Sequence, residues 1–405
     1  MFGVFLLKKL LSLILCLCIF SVSVSAKTVS SECEIDDIDV PLSAVETNAA
    51  IGTVLDIKAK SAILMEPNTS KVLYEQNADE RLSPASITKV MSLLLVMEAI
   101  DRGDITTETL VTASAHAASM GGSQIWLEQG ETMTVDDLLK ATVIASANDA
   151  CVALGEHIAG SEEGFVAMMN EKAKSLGMNN TTFKNCTGLD AEGHLTSAYD
   201  VAIMSSELIK HDLIKKYSTV WMDSLRDGES ELVNTNKLIR FYNGATGLKT
   251  GTTSIAMYCL SATAERDGLE LVAVVLAGQT SNDRFEGAKK LLDYGFANYS
   301  FSRIKAELSK GELSLKNGVQ KQIKIKTDGY VDVLLTKSQS GEIKRIEKYN
   351  EGITAPVKKG DLLGYVHVYA SDKEVGKIKI IAAENVEKLN VWISMCRILK
   401  GIFKI

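Results

Sequence analysis

The sequence predicts an α+β fold, in which an antiparallel sheet flanked by helices is followed by a small all-β domain and a terminal amphipathic helix. Three observations lead there. In the first 300 residues, apolar runs of strand length lie at both ends, with helical stretches between them. Beyond Ser300 the helical signals stop, and short alternating segments punctuated by Gly329, Gly341, Gly352 and Gly360 take over. From Val386 apolar residues recur at helical spacing, opposite a basic face. With 405 residues, 46% apolar and 23% charged, the chain is long enough for two domains and lacks the composition of a disordered one.

The chain opens on Lys8 and Lys9, an apolar stretch from Leu10 to Phe20, and the small residues Val24-Ser25-Ala26. This reads as an export signal over 1–26; the apolar run is short for a membrane span, and the alternative is an uncleaved anchor. Residues 27–52 are polar and acidic, a leader without period. Ala62 to Met65 and Lys71 to Tyr74 flank Asn68-Thr69-Ser70 and predict a hairpin. Ser83 is an N-cap residue and Pro84 suits the first helical position of a helix to about Ile100, ended by Gly103. That helix is apolar all round, so it is buried. Thr134-Val135-Asp136-Asp137 caps a second helix to about Ala145. Ser146-Ala147-Asn148 breaks it, and another helix starts at about Asp149. Ser161 to Leu176 and Ser197 to His211 are further helices. Leu248 to Thr252, Met257 to Ala264 and Leu269 to Ala277 read as strands, the last two joined by the turn Arg266-Asp267-Gly268. A helix from about Asp283 to Tyr299 closes a unit spanning 53–300.

Strand candidates in the all-β unit, 301–385, are Gln322 to Lys326, Val331 to Val333, Leu363 to Tyr369 and Lys377 to Ile381. The segment 386–405 places Leu389, Val391, Trp392, Met395, Ile398, Leu399, Ile402 and Phe403 on one helical face and Asn390, Ser394, Arg397, Lys400 and Lys404 on the other, with Ile393 the exception. Such a helix suits a membrane surface; the alternative is docking on its own domain.

The formal charge of −7 and the lack of a long basic run argue against a nucleic-acid partner. Cys33, Cys151, Cys186, Cys259 and Cys396 are scattered and read as buried thiols rather than a zinc or disulfide pattern. His116, His157, His194, His211 and His367 form no pair at metal-ligand spacing. No metal and no organic cofactor is expected.

A serine hydroxyl needs a base within hydrogen-bond reach to act as a nucleophile. Ser86-Ile87-Thr88-Lys89 puts serine and lysine on one helix face at i, i+3. Burial lowers the pKa of a lysine and makes it a base. Ser86 also lies where a helix start leaves backbone N–H groups free to stabilise an oxyanion. Ser-x-x-Lys alone occurs about once or twice by chance in such a chain. Ser146-Ala147-Asn148 in a helix break and Lys249-Thr250-Gly251 on a strand complete the trio of motifs found in penicillin-binding proteins and class A β-lactamases, with Ala147 where aspartate is usual.

With Ala118-Ser119-Met120-Gly121-Gly122-Ser123 and Gly247 to Thr253 added, the chain from about Ser61 onward resembles the D-alanyl-D-alanine carboxypeptidase family of low-molecular-mass penicillin-binding proteins. The resemblance implies a β-lactamase/transpeptidase-like domain and a serine peptidase that removes the terminal D-alanine of peptidoglycan stem peptides and is acylated by β-lactams. It implies Ser86 as nucleophile, Lys89 as its base and Ser146 as a proton relay to the leaving amine. Asn148 and Lys249 would hold the substrate, Thr250 and Thr252 its carboxylate, and the N–H groups of Ser86 and Thr252 the oxyanion. Arg284 is either a further carboxylate ligand or a solvated helix-start arginine. The Ala118 to Ser123 stretch is either a loop at the site or a packed glycine turn. The implied location is the outer face of the bacterial membrane. Two rivals are a class A-like β-lactamase, for which no glutamate counterpart is found between Asn148 and Lys249, and a catalytically idle peptidoglycan-binding scaffold.

Overall fold

The computed structural model describes residues 55–337, 343–370 and 372–395. The export signal, the leader with Cys33, Cys396 and the tail from residue 396 lie outside these residues.

Strands β1 (Ala59–Glu66) and β2 (Lys71–Gln76) form the expected hairpin. A 3-10 turn over Ala85–Thr88 then leads into α1 (Lys89–Asp101). This corrects the single helix capped by Ser83: Pro84 occupies the cap position without a side-chain bond, and Ala85 takes φ 46°. Crowding accounts for the difference. A Cβ on Gly188 would stand 1.8 Å from the Ala85 carbonyl oxygen, and one on Gly251 would stand 3.0 Å from Ser86 N. Two neighbouring backbones thus press on this turn, and it tightens under them. Lys89 to Met97 are all buried, as the apolar helix required.

A small hairpin of β3 (Leu110–Thr112) and β4 (Thr132–Thr134) brackets α2 (Ala115–Ala118). Thr134 caps α3 (Val135–Ile144) by accepting from Asp137 N at 3.1 Å. After the break come α4 (Asn148–Ala159), α5 (Glu162–Ser175, capped by Ser161) and α6 (Ala198–Leu208, capped by Ser197). The last ends at Leu208 rather than His211, and a separate α7 (Asp212–Ser218) follows. A hairpin of β5 (Met222–Leu225) and β6 (Ser230–Val233) and the short α8 (Leu238–Phe241) precede β7 (Ala245–Thr253), β8 (Met257–Arg266) and β9 (Leu269–Gly278). Asp267 and Gly268, at φ 51° and 78°, make the β8–β9 turn.

The main sheet is antiparallel with order β2-β1-β9-β8-β7, so β7 is an edge strand. Successive side chains of β9 point to opposite faces. Val272, Val274 and Leu276 pack with α1 and α6, while Leu271, Ala273 and Val275 pack with Phe285, Leu291 and Leu292 of α9 (Ser281–Asn298). α9 starts two residues before Asp283, because Thr280 and Asp283 form a capping box.

Strand β10 (Tyr299–Ile304) pairs with β13 (Val331–Thr336). A second five-stranded sheet has the order β11 (Glu312–Ser314), β12 (Gln322–Asp328), β16 (Lys373–Ala382), β15 (Leu362–Ala370), β14 (Ile343–Tyr349). Ile323, Ile325, Val366, Val368, Ile378 and Ile380 fill its inner face.

The tail is corrected in part. Residues 386–390 are not helical but join this β unit: Val386 and Val357 exchange backbone bonds of 2.8 and 3.0 Å, and Leu389 N donates to Asn317 O. Helix begins at Val391, where Asn390 Oδ1 accepts from Ile393 N at 2.8 Å.

Candidate active site

Lys89 enters the core at the start of α1, with none of its surface exposed. Its Nζ donates to three oxygens: Ser86 Oγ at 3.0 Å, Asn148 Oδ1 at 2.6 Å and the Thr187 carbonyl at 2.8 Å. Burial lowers the ammonium to about 8, against the opposing pull of Cys151, Cys186 and Asp149. The i, i+3 pairing read from the sequence therefore survives the 3-10 turn, because residues three apart share a face in either geometry.

Ser146 sits buried in the break between α3 and α4 at φ 64°, and Asn148 opens α4. The Asn148 carboxamide is engaged at both ends: Oδ1 on Lys89, and Nδ2 donating to the Gly121 carbonyl at 2.6 Å. Asn148 N donates to Ser123 O at 2.7 Å, and Gly122 packs directly over the amide. The Ala118 to Ser123 stretch is thus a wall of this site.

The adjacent Asp149, expected from the sequence only as the start of the next helix, is buried and accepts from Ile125 N, Leu127 N and Ala150 N. It ties the same wall to α4. Burial raises its carboxyl, and these N–H groups pull the other way.

On the facing side, Lys249 of β7 is 1% exposed and donates to Thr250 O at 3.0 Å. Burial, helped by the nearby charges of Lys89 and Arg284, holds it well below its usual value. Thr250 Oγ1 donates to Thr235 Oγ1 at 2.7 Å, so Thr235 is a second unforeseen member. Arg284 is not a solvated helix-start residue. It is 9% exposed, lies over the Tyr258 and Phe285 rings, and donates to Thr252 Oγ1 at 2.8 Å and Gly251 O at 3.2 Å.

His194 buttresses the turn from behind. Lys184 N donates to its Nδ1, so Nε2 carries the proton and donates to Thr88 Oγ1 at 2.8 Å; that hydroxyl in turn donates to Ala85 O. Burial lowers His194 to about 4, which keeps the ring neutral near pH 7. Three of the five cysteines expected to be thiols, Cys151, Cys186 and Cys259, are free and buried.

The pattern of the D-alanyl-D-alanine carboxypeptidase family matches residues 45–280, and that of the penicillin-binding protein 5 C-terminal domain matches residues 301–388. The chain belongs to the D-alanyl-D-alanine carboxypeptidase family. It is a serine-type D-alanyl-D-alanine carboxypeptidase. It is similar to D-alanyl-D-alanine carboxypeptidase DacF of Bacillus subtilis, with 45% identity over 336 residues, 82% of this chain and 86% of that one. Penicillin binding protein 5 from Haemophilus influenzae matches in structure with a TM-score of 0.71 and 29% identity, over 83% of this chain and 99% of that one. Penicillin-Binding Protein D2 from Listeria monocytogenes, in its ampicillin-bound form, matches with a TM-score of 0.53 and 33% identity, over 60% of this chain and all of that one. The family's peptidoglycan and β-lactam chemistry thus meets, in this member, a buried lysine bonded to a half-buried serine beside an edge strand.

Proposed function

We propose that this carboxypeptidase removes the terminal D-alanine of peptidoglycan stem peptides through an acyl-enzyme on Ser86, and that β-lactams block it by acylating the same hydroxyl. One observation carries the reading: the three acceptors around Lys89 Nζ. Two are carbonyl oxygens, which only accept, so they retain N–H bonds in either protonation state. The third is a hydroxyl, which can reverse and donate. When the ammonium loses a proton, its lone pair therefore faces Ser86, and Lys89 is a base oriented by Asn148 and Thr187.

Ser86 Oγ then adds to the carbonyl carbon of the penultimate D-alanine, and its proton passes to Lys89. The N–H groups of Ser86 and Thr252 receive the oxyanion; the close approach of Gly251 to Ser86 N supports this pairing. Ser146 relays the proton to the departing amine. Water then adds to the ester carbonyl and gives its proton to Lys89, which returns it to Ser86 Oγ as the ester bond breaks. The remaining Nδ2 hydrogen of Asn148 and the outer edge of β7 hold the peptide as an added strand. Thr252 Oγ1 accepts from Arg284 and so turns its own hydrogen outward, toward a substrate carboxylate, with Lys249 and Arg284 supplying positive charge. Thr250 joins by reversing its bond with Thr235.

Among the described residues, no hydrogen bond of Ser86, Lys89 or Asn148 goes to a carboxylate that would activate a deacylating water, which disfavours the β-lactamase rival. Purified protein is expected to release D-alanine from a peptide ending in D-Ala-D-Ala and to retain a penicilloyl group long after substrate turnover has ended. Rapid steady-state hydrolysis of penicillin contradicts this reading.

We further propose export through residues 1–26 and attachment to the outer membrane face through the tail. No helix of the described residues is long and apolar enough to cross a membrane. Supporting a surface contact, Val391 and Trp392 are 86% and 69% exposed where the helix starts. Protease added to intact protoplasts is expected to digest the protein, and deletion of 391–405, which spares the residues bonded into the β unit, to release it into the medium. A deleted form that stays bound overturns the attachment.

A further inference from the structure

Charge is divided unevenly along the chain. Residues 1–300 carry 24 Lys and Arg against 39 Asp and Glu, whereas residues 301–405 carry 20 against 12. An enzyme that is acidic as a whole thus ends in a basic quarter, and the β unit supplies most of that basic charge.

Strand register gathers part of this charge on one face. Tyr365, His367 and Tyr369 alternate along β15, on the side opposite Val366 and Val368, which face the core. Across the sheet on β14, Lys348 pairs with Tyr365 and Lys344 with Tyr369. On β16, Lys379 pairs with Tyr365 and Lys377 with His367. A row of rings therefore runs between exposed lysines on both sides, with Ile346 between the two lysines of β14 and opposite His367. His367 stacks on Tyr369 at 6.5 Å and meets Tyr365 edge-on, and it is held by Glu374 at 3.0 Å. Both tyrosines remain half-exposed. Glu374 and Asp328 are the acids of this face, and Asp372 at its rim pairs with Lys344. Asp328 stands opposite Lys379 and Glu374 pairs with Lys377, so of the four lysines Lys348 remains in excess. β14 is an edge strand, where lysines also discourage strand addition, but β16 is interior, so that explanation does not cover Lys377 and Lys379.

We infer that this face binds the peptidoglycan strand itself, apart from the catalytic cleft, with sugar rings on the tyrosines and the carboxylates of stem peptides on the lysines. The inference rests on the substrate reading above. Aromatic faces pack against the C–H faces of sugar rings, and ammonium groups pair with carboxylates. The row from Tyr365 to Tyr369 spans about 13 Å at strand rise, which suits an extended polymer. A lipid surface calls for a broad protruding apolar patch, whereas the exposed aliphatic side chain that β14 sets on this face, Ile346 opposite His367, is flanked by Lys344 and Lys348. Tethered to the polymer, the enzyme samples neighbouring stem peptides at raised effective concentration.

The test is co-sedimentation of the full chain with purified peptidoglycan, before and after chemical removal of attached phosphate polymers, and with phosphatidylglycerol vesicles. The comparison is with a Lys348→Glu, Lys377→Glu, Lys379→Glu variant. The expected result is at least tenfold weaker binding of the variant to stripped peptidoglycan and a matching fall in D-alanine release from the polymer. Release from a soluble D-Ala-D-Ala peptide is expected to be unchanged. Equal binding by variant and wild type overturns the inference. So does binding that requires the phosphate polymer, or a variant defect confined to vesicles. A wild-type protein inactive on the soluble peptide instead refutes the substrate reading.

Discussion

Replacing Lys89 with methionine is expected to slow acylation of Ser86 about a thousandfold, in the range assigned to a positioned general base. The pH dependence carries the argument. Lys89 acts as a base only when neutral, and burial brings it to about 8. For the wild type, kcat/KM therefore rises with pH through about 8, as the ammonium loses its proton. In the Lys89→Met variant that limb disappears. The substitution also strands two buried acceptors, Asn148 Oδ1 and Thr187 O, at about 1–3 kcal/mol each if nothing replaces the bonds. A Lys89→Gln variant keeps an N–H donor for one of them. It is expected to fold and still be as slow. Stopped-flow acylation by a chromogenic β-lactam across pH 6 to 10 measures both effects. A variant that keeps the wild-type profile shows that another group takes the proton.

The second large effect is expected at Gly188, which touches no substrate in the proposed mechanism. It adopts φ 91°, and a Cβ there would meet backbone atoms, Ala85 O at 1.8 Å and Ser86 N at 2.8 Å. Neither can swing aside as a side-chain tip does. Gly188→Ala is therefore expected to cost about 2–5 kcal/mol, from left-handed strain and overpacking together. In molecules that still fold, it displaces Ser86 from Lys89. Thermal unfolding and acylation rate measured on the same preparation check this. The comparison is Gly177→Ala, at φ 73° with nothing within 4 Å of its Cβ; it bears backbone strain without the collision. If the two variants behave alike, crowding of the Ser86 turn is not what Gly188 relieves.

Much of the chemistry was legible because it is local. Ser86 and Lys89 lie three residues apart, and Ser146 with Asn148 and Lys249 with Thr250 are short motifs whose settings, a helix break and a strand, are marked by capping residues and apolar alternation. What stayed hidden depends on tertiary approach. The Thr187 carbonyl reaches Lys89 from a turn 98 residues away, and a backbone oxygen leaves no side-chain signature. Thr235 and His194 meet the motifs only through packing. Asp149, directly after Asn148, was the signal most within reach: an acid in the first turn of a buried helix needs partners.

The fold shows the same division. Helices α3, α5 and α6 start where Thr134, Ser161 and Ser197 announce them. Ser83 failed as a cap because Gly188 and Gly251 bring other backbones onto its turn, and their identity as spacers cannot be read from Ser83. In the tail, helical spacing of apolar residues extends on both sides of Asn390, so periodicity alone does not reveal that the helix starts after this cap.

The central claim is that Ser86 is the acylated residue. Labelling the purified protein with a fluorescent penicillin, digesting it and sequencing the fluorescent peptide tests that claim most directly. The label is predicted on the peptide containing Ser86 and absent from a folded Ser86→Ala variant. A label on any other residue, or one that persists in Ser86→Ala, contradicts it.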